Sequence, residues 1–207
     1  VFTKHFKPMV IGTFIMVATY SLFYIMTAFA QAYSRTPATL SEAGYPMGLG
    51  IPANIFTGLL LMSAIVFAIF ISISGLYADK IGRRKWLIWT TISILIFALC
   101  MPLFLGNGTP TSVFAFLVIG MALMGMTFGP MAALLPELFP TEVRYSGASL
   151  AYNIASIIGA TIAAMISLKI NALYGLMGVG IYLAINAFLT LLALLASKET
   201  KNVDLTQ

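Results

Sequence analysis

Long apolar runs separated by short polar breaks dominate the chain. Six can be drawn: Met9–Tyr33, Ile51–Leu76, Trp86–Leu105, Val113–Leu135, Val143–Ile170 and Leu176–Ala196. A hydrocarbon core of roughly 30 Å takes about 20 residues of helix, and each run is of that order. The breaks are rich in turn formers, at Ser34–Pro52, Gly106–Ser112 and Phe139–Glu142. Inside hydrocarbon each main-chain group needs a partner within the protein, so every run is predicted to be helical. Residues 1–207 are thus predicted to be one all-α domain, an integral membrane six-helix bundle.

Composition supports the membrane assignment. The chain is 60% hydrophobic and 8% charged, with mean hydropathy +1.00, whereas a soluble domain carries about 25% charged residues. Its single cysteine, Cys100, excludes an internal disulfide and reads as a packing residue inside an apolar helix. The net charge of +5 does not suggest nucleic acid, because the basic residues flank the apolar runs. Lys4, Lys7, Lys80, Arg83, Arg84, Lys85, Arg144, Lys198 and Lys201 fall on one side of the six-span scheme, and only Arg35 and Lys169 on the other. The positive-inside rule therefore predicts both termini in the cytoplasm, and the expected location is a plasma membrane of the bacterial inner-membrane kind. Trp86 and Trp89 read as an aromatic belt, and His5 as an interfacial side chain. Asn107-Gly-Thr109 matches a glycosylation sequon but reads as a turn. The chain starts at Val1 without a signal peptide, as a piece of a longer protein would.

The chemistry concentrates in Gly75-Leu-Tyr-Ala-Asp79-Lys80-Ile-Gly82-Arg83-Arg84-Lys85, between the second and third runs. A second cluster is Leu135-Pro-Glu137-Leu-Phe-Pro140-Thr-Glu142-Val-Arg144, after the fourth, and a third is Lys198-Glu199-Thr200-Lys201. The first resembles the cytoplasmic loop signature of the major facilitator superfamily of secondary transporters. The second is similar to the segment between helices ten and eleven of sugar porters and metabolite:proton symporters, and Ala151-Tyr-Asn153 leans toward the latter. The third resembles the sugar-porter tail, with Ser197 where proline usually stands. The order of the three implies the carboxy-terminal half, helices seven to twelve, of a twelve-helix carrier. Its partners would be the amino-terminal six-helix half, the bilayer and a small-molecule substrate, with a proton as candidate co-substrate.

Asp79 is predicted near the C-terminal end of a helix, where the macrodipole disfavours an anion. It needs a cation, which Lys80, Arg83 or Arg84 can supply, or a facing helix N-terminus, which the resemblance places in the other half. Gly75 suits close helix approach and Gly82 a tight turn. Glu137, Glu142, Arg144 and Glu199 share that membrane face, and in similar carriers such residues form a network favouring one closed state. The alternative is a solvated face with incidental pairs.

In the fourth run, Gly129-Pro130 predicts a bend, because proline removes the donor for the Met126 carbonyl. Its glycines serve either a flexible midplane helix or tight packing. Fold analogy favours Tyr24, Thr127, Tyr152 and Asn153 as substrate-side contacts, with interhelical hydrogen bonding as the rival role. Asn186 reads as interhelical glue. No charged side chain lies at mid-membrane depth, so a proton-coupling group is expected in the other half. No H-E-x-x-H or G-x-S-x-G motif is present, and neither enzyme chemistry, a metal nor a cofactor is expected. The function implied is alternating-access transport of a small polar metabolite such as an organic acid or betaine, by proton symport. A non-transporting membrane sensor on the same fold is the alternative.

Overall fold

The structure is a computed structural model that describes residues 6–199, with only the backbone of Ala164. Lys4, His5, Thr200 and Lys201 lie outside the described residues. The helices are α1 (Phe6–Arg35), α2 (Ala53–Ile81), α3 (Arg83–Leu99), α4 (Met101–Leu105), α5 (Pro110–Glu137), α6 (Arg144–Ser156) and α7 (Ile162–Ala196). A π turn at Ile25–Phe29 lies within α1, and another at Ile157–Thr161 joins α6 to α7. The fold class is all-α, one half of a major facilitator fold, and the described residues contain no strand beyond an isolated Leu40–Pro46 bridge.

Helix covers each of the six apolar runs, but its interruptions differ from those expected. The third run is broken at Cys100, two residues before Pro102, so Cys100 marks a junction rather than the interior of a helix. The fifth and sixth runs form the single element α7 after the π turn, yet Gly175 (φ 67°, ψ −171°) is not helical and splits it. That left-handed φ suits glycine, and an added Cβ there would lie 2.6 Å from the Tyr45 ring. Tyr45 belongs to the 36–52 connection, which is folded on itself by Met47 N–H to Thr39 O and Ser41 N–H to Tyr45 O. Asn171 Nδ2 donates to Pro46 O at 2.9 Å, fastening this connection to the α7 break. Four stretches are long and apolar enough to cross a membrane: α1, α2, α5 and the 141–196 run.

α1 is the centre of the bundle and packs against α5, α6 and α7. Of its most apolar window 67% is buried, against 11% for α2, which lies at the edge. The main chain of α1 is held from outside. Thr190 Oγ1 on α7 accepts from Ala18 N–H at 3.1 Å and donates to Phe14 O at 2.6 Å. Those are the two groups a regular helix would join to each other. Nearby, Asn186 Nδ2 donates to Ser21 Oγ at 2.9 Å, buried between helices, as its reading as glue expects.

α2 and α5 meet through glycines. A Cβ at Gly125 would lie 2.7 Å from Phe67 O, and one at Gly129 would strike Ser74 Oγ and approach Ile71 O to 2.6 Å. Gly125 and Gly129 are four residues apart, on one helix face, and let the backbones approach as small residues do in membrane helix pairs. This is the tight-packing role, and α5 runs through Pro130 and Pro136 as one helix. Gly129→Val should therefore destabilise the purified full-length protein by about 1–3 kcal/mol. Gly58→Val, where a Cβ meets open space, should leave the thermal midpoint nearly unchanged. Equal midpoints for the two variants would contradict the glycine contact.

Candidate functional site

The ends of α2, α5 and α7 and the starts of α3 and α6 converge at one end of the bundle. The turn between α2 and α3 is closed by Gly82 N–H to Ala78 O at 2.9 Å. Gly82 has φ 113°, and a Cβ on it would sit 2.7 Å from Glu199 Oε2. Glycine is needed there both for its backbone angle and for the carboxylate beside it.

Arg83 joins two carboxylates. Its Nε donates to Asp79 Oδ1 at 3.0 Å, and Nη1 pairs with Glu137 Oε1 across to α5. The Arg83 and Glu137 side chains are 18% and 10% exposed, against 62% for Asp79. The Glu137 link is therefore the less solvent-screened of the two. Hydrogen bonding to Glu137 raises the already high pKa of Arg83, so this group stays cationic. Glu137 Oε2 is buried with no hydrogen-bond partner among the described residues. Arg84 takes a different role. Its Nε and Nη2 donate to Leu194 O at 2.7 Å and Leu195 O at 2.9 Å, capping carbonyls in the last turn of α7. The Arg84 N–H, at the start of α3, reaches Glu199 Oε1 at 3.3 Å, where the helix dipole favours an anion. Lys80 Nζ lies 6.0 Å from the Tyr77 ring centroid, and Arg144 Nε donates to Phe139 O at 3.4 Å. Glu142 is exposed.

Beside this network, α5 and α6 enclose an open groove of about 620 Å³. Ala132, Pro136, Arg144, Tyr145, Tyr152 and Asn153 line it. The structure thus brings Tyr152 and Asn153 together. Tyr152 meets Tyr20 edge to face at 5.5 Å, and Asn153 Nδ2 donates to Ser149 O at 2.8 Å. Tyr24 lies away from the groove, against Phe23. Thr127 does not join them either: it is 2% exposed and donates to Met124 O of its own helix. Sequence reasoning missed Pro136, which deprives the Ala132 carbonyl of its helical donor where the groove passes. Counting prolines against i−4 carbonyls would have found it. Trp86 also departs from its expected place in a belt. It is half-buried and stacked on Tyr77 at 5.9 Å, whereas Trp89 is 71% exposed.

α2 divides its circumference into three faces at 100° per residue. Phe56, Ser63, Ser74 and Ala78 are buried on one. Met62, Ile69, Ile73 and Leu76 are exposed on another. Between them, Thr57, Ala64, Ala68, Ser72 and Gly75 form a largely exposed stripe of small residues that leads to Asp79, with Leu61 as the one large member. A Cβ at Gly75 would meet nothing within 4 Å.

Residues 47–207 match the sugar (and other) transporter family. The chain belongs to that family, within the major facilitator superfamily. It is 86% identical over 207 residues to a Haemophilus influenzae protein named for metabolite transport, covering all of this chain and 47% of the relative. It is 52% identical to the Escherichia coli inner membrane metabolite transport protein YhjE over 98% of this chain and 45% of YhjE. A Salmonella typhimurium proline/betaine transporter is 28% identical over 97% of the chain and 38% of that protein. The chain spans about half the length of the curated relatives it matches. No solved structure matches it.

The Arg83–Glu137 pair ties the α2–α3 turn to α5. Arg83→Ala leaves a buried carboxylate without its cation and should cost about 1–3 kcal/mol. In the full-length protein, combining Arg83→Glu with Glu137→Arg should recover part of the loss of either reversal in thermal stability. Strictly additive losses would deny the pair.

Proposed function

We propose that this chain is the carboxy-terminal six-helix half of a secondary transporter that moves a small polar metabolite by alternating access. The substrate class is an organic acid, betaine or similar solute, and transport is coupled to protons through a group in the amino-terminal half. The protein sits in the inner membrane with six passes in this half and both termini cytoplasmic. Family membership, the clustering of basic residues at one end and the names of the Escherichia coli and Salmonella relatives support this reading.

The observation that carries it is the three-faced α2. Packing against α5 accounts for one face and lipid for the large aliphatic one, while the small-residue stripe ending at Gly75 and Asp79 is suited to a helix backbone of the amino-terminal half. A facing helix N-terminus there would complement Asp79, which Arg83 pairs from only one side. Rocking of the two halves about this seam would expose the groove containing Tyr152 and Asn153 alternately to the two sides.

The test uses uptake of labelled glycine betaine, proline and small dicarboxylates by the full-length protein in vesicles. At least one should accumulate in response to an imposed proton gradient. Ala68→Leu, on the small face, should lower uptake by overpacking the seam, at a cost of about 1–3 kcal/mol in the closed state. Ile69→Leu, on the aliphatic face, should not. Asp79→Asn should change the accessibility of a reporter cysteine at the two membrane faces. Equal tolerance of both leucines with unchanged accessibility would defeat the seam, and no accumulation of any solute by a well-folded protein would favour a sensor.

A further inference from the structure

Pro130 has no N–H, so the carbonyl four residues before it, Met126 O, lacks its helical donor. The Trp86 indole N–H supplies one, from α3, at 2.9 Å. An indole nitrogen only donates, so this bond has one direction and fixes the ring. The next carbonyl toward the N-terminus, Gly125 O, is reached by Ser74 Oγ of α2 at 3.0 Å. The main chain of α5 is thus gripped at adjacent residues from two different helices, one turn before its proline.

The ring is held on its other side by Tyr77, stacked at 5.9 Å and 18°. Tyr77 belongs to the last turns of α2, with Lys80 Nζ 6.0 Å from its ring centroid. Arg83 lies three residues before Trp86, in the same first turn of α3, and holds Asp79 and Glu137. One helical turn therefore carries both contacts to α5: the guanidinium at the exposed end and the indole inside. Trp89, one turn further along, is 71% exposed and makes no such bond among the described residues, which separates Trp86 from a simple interfacial anchor.

We propose that Trp86 is a positioning residue: its indole N–H replaces the donor lost at Pro130 and couples the charged turn to α5, so that rearrangement of the Arg83 network displaces the α5 wall of the groove. The displacement rests on the transport reading, whereas the hydrogen bond does not.

The test is a double-mutant cycle in the full-length protein with Trp86→Phe, Pro130→Ala and both, and Trp89→Phe as control. Phenylalanine keeps an aromatic ring for Tyr77 but has no donor. Alanine at 130 restores a main-chain donor to Met126 O and makes the indole redundant. Trp86→Phe alone should lower the thermal midpoint by about 2 °C or more. In the Pro130→Ala background the same change should have much less effect. An equal drop in both backgrounds would overturn the bond as the source of the effect. If Trp86→Phe does not fold, the double variant should; failure of the double beside a folded Pro130→Ala would also overturn it. Transport supplies the second readout. Trp86→Phe should slow uptake about three- to ten-fold and shift cysteine accessibility in the groove, and Trp89→Phe should do neither. A coupled midpoint cycle with unchanged uptake and accessibility would sink the transmission alone. Absence of uptake in the unmodified protein would count against the transport reading, with the midpoint cycle still deciding the bond.

Discussion

A main-chain carbonyl or amide at membrane depth has no water to turn to, and leaving one unpaired is costly. Departures from a regular helix therefore need donors or acceptors from elsewhere, and here neighbouring helices supply them. The Thr190 hydroxyl lies between Phe14 O and Ala18 N–H. Ser21 Oγ reaches Gly159 O in the π turn at 3.4 Å, and Trp86 meets Met126 O below Pro130. The short hydroxyl of Ser21 requires close backbone approach, which explains why a glycine stands opposite it. Gly125 and Gly129 face α2, and a Cβ on Gly159 would come within 2.6 Å of Tyr20 Cβ. Packing order and polar satisfaction are thus one constraint there, because a glycine that admits a neighbour also admits that neighbour's hydroxyl.

The two ends of the bundle are held by different physics. At the end carrying Arg35, the 36–52 connection is fastened by neutral hydrogen bonds and by the aromatic contact of Tyr45 with Gly175. These do not depend on ionic strength. At the other end, Arg83 is shared by Asp79 and Glu137, and Arg84 caps α7. An exposed pair there is worth only about 0–1 kcal/mol, but several such contacts can shift the balance between two conformations a few kcal/mol apart. The exposed Asp79 contact at the charged end is accordingly sensitive to ionic strength, whereas the neutral contacts of the opposite end are not.

The legible parts of the sequence were those set by length and charge. Apolar runs of about 20 residues located the helices, and Gly82 announced the turn between α2 and α3. The motifs put their charges at one end but left open which cation meets which carboxylate, and the structure pairs Arg83 with Glu137 while Arg84 caps α7. Less legible were features that depend on which side of a helix faces what. Thr127 looked available in the sequence, but its hydroxyl turns back to Met124 O inside the bundle. Trp86 and Trp89 look alike in an interfacial pattern, and only the helix rotation of α3 sends one inward and the other out. The break at Gly175 was readable as a gap between spans, but not the left-handed angle that lets it coexist with helix on both sides.

Pro130 and Pro136 show how one chemical defect can be used in two ways. Both remove a donor from α5, and they lie six residues apart, so the freed carbonyls of Met126 and Ala132 fall on different sides of the helix. Met126 O turns toward α3 and receives an indole, which ties that level of α5 into the bundle. Ala132 is exposed at the groove between α5 and α6. An acceptor there can be met by water, by a solute or by an opposing helix, each at little cost in helix geometry. α5 therefore changes character along its length: its middle is bound to α2 and α3 through backbone contacts, and its final turns combine a freed acceptor with the Glu137 end of the ion-pair network. A displacement of Glu137 relative to Arg83 would act on those final turns directly and reach the level of Met126 through the indole bond, while the glycine seam keeps α5 against α2.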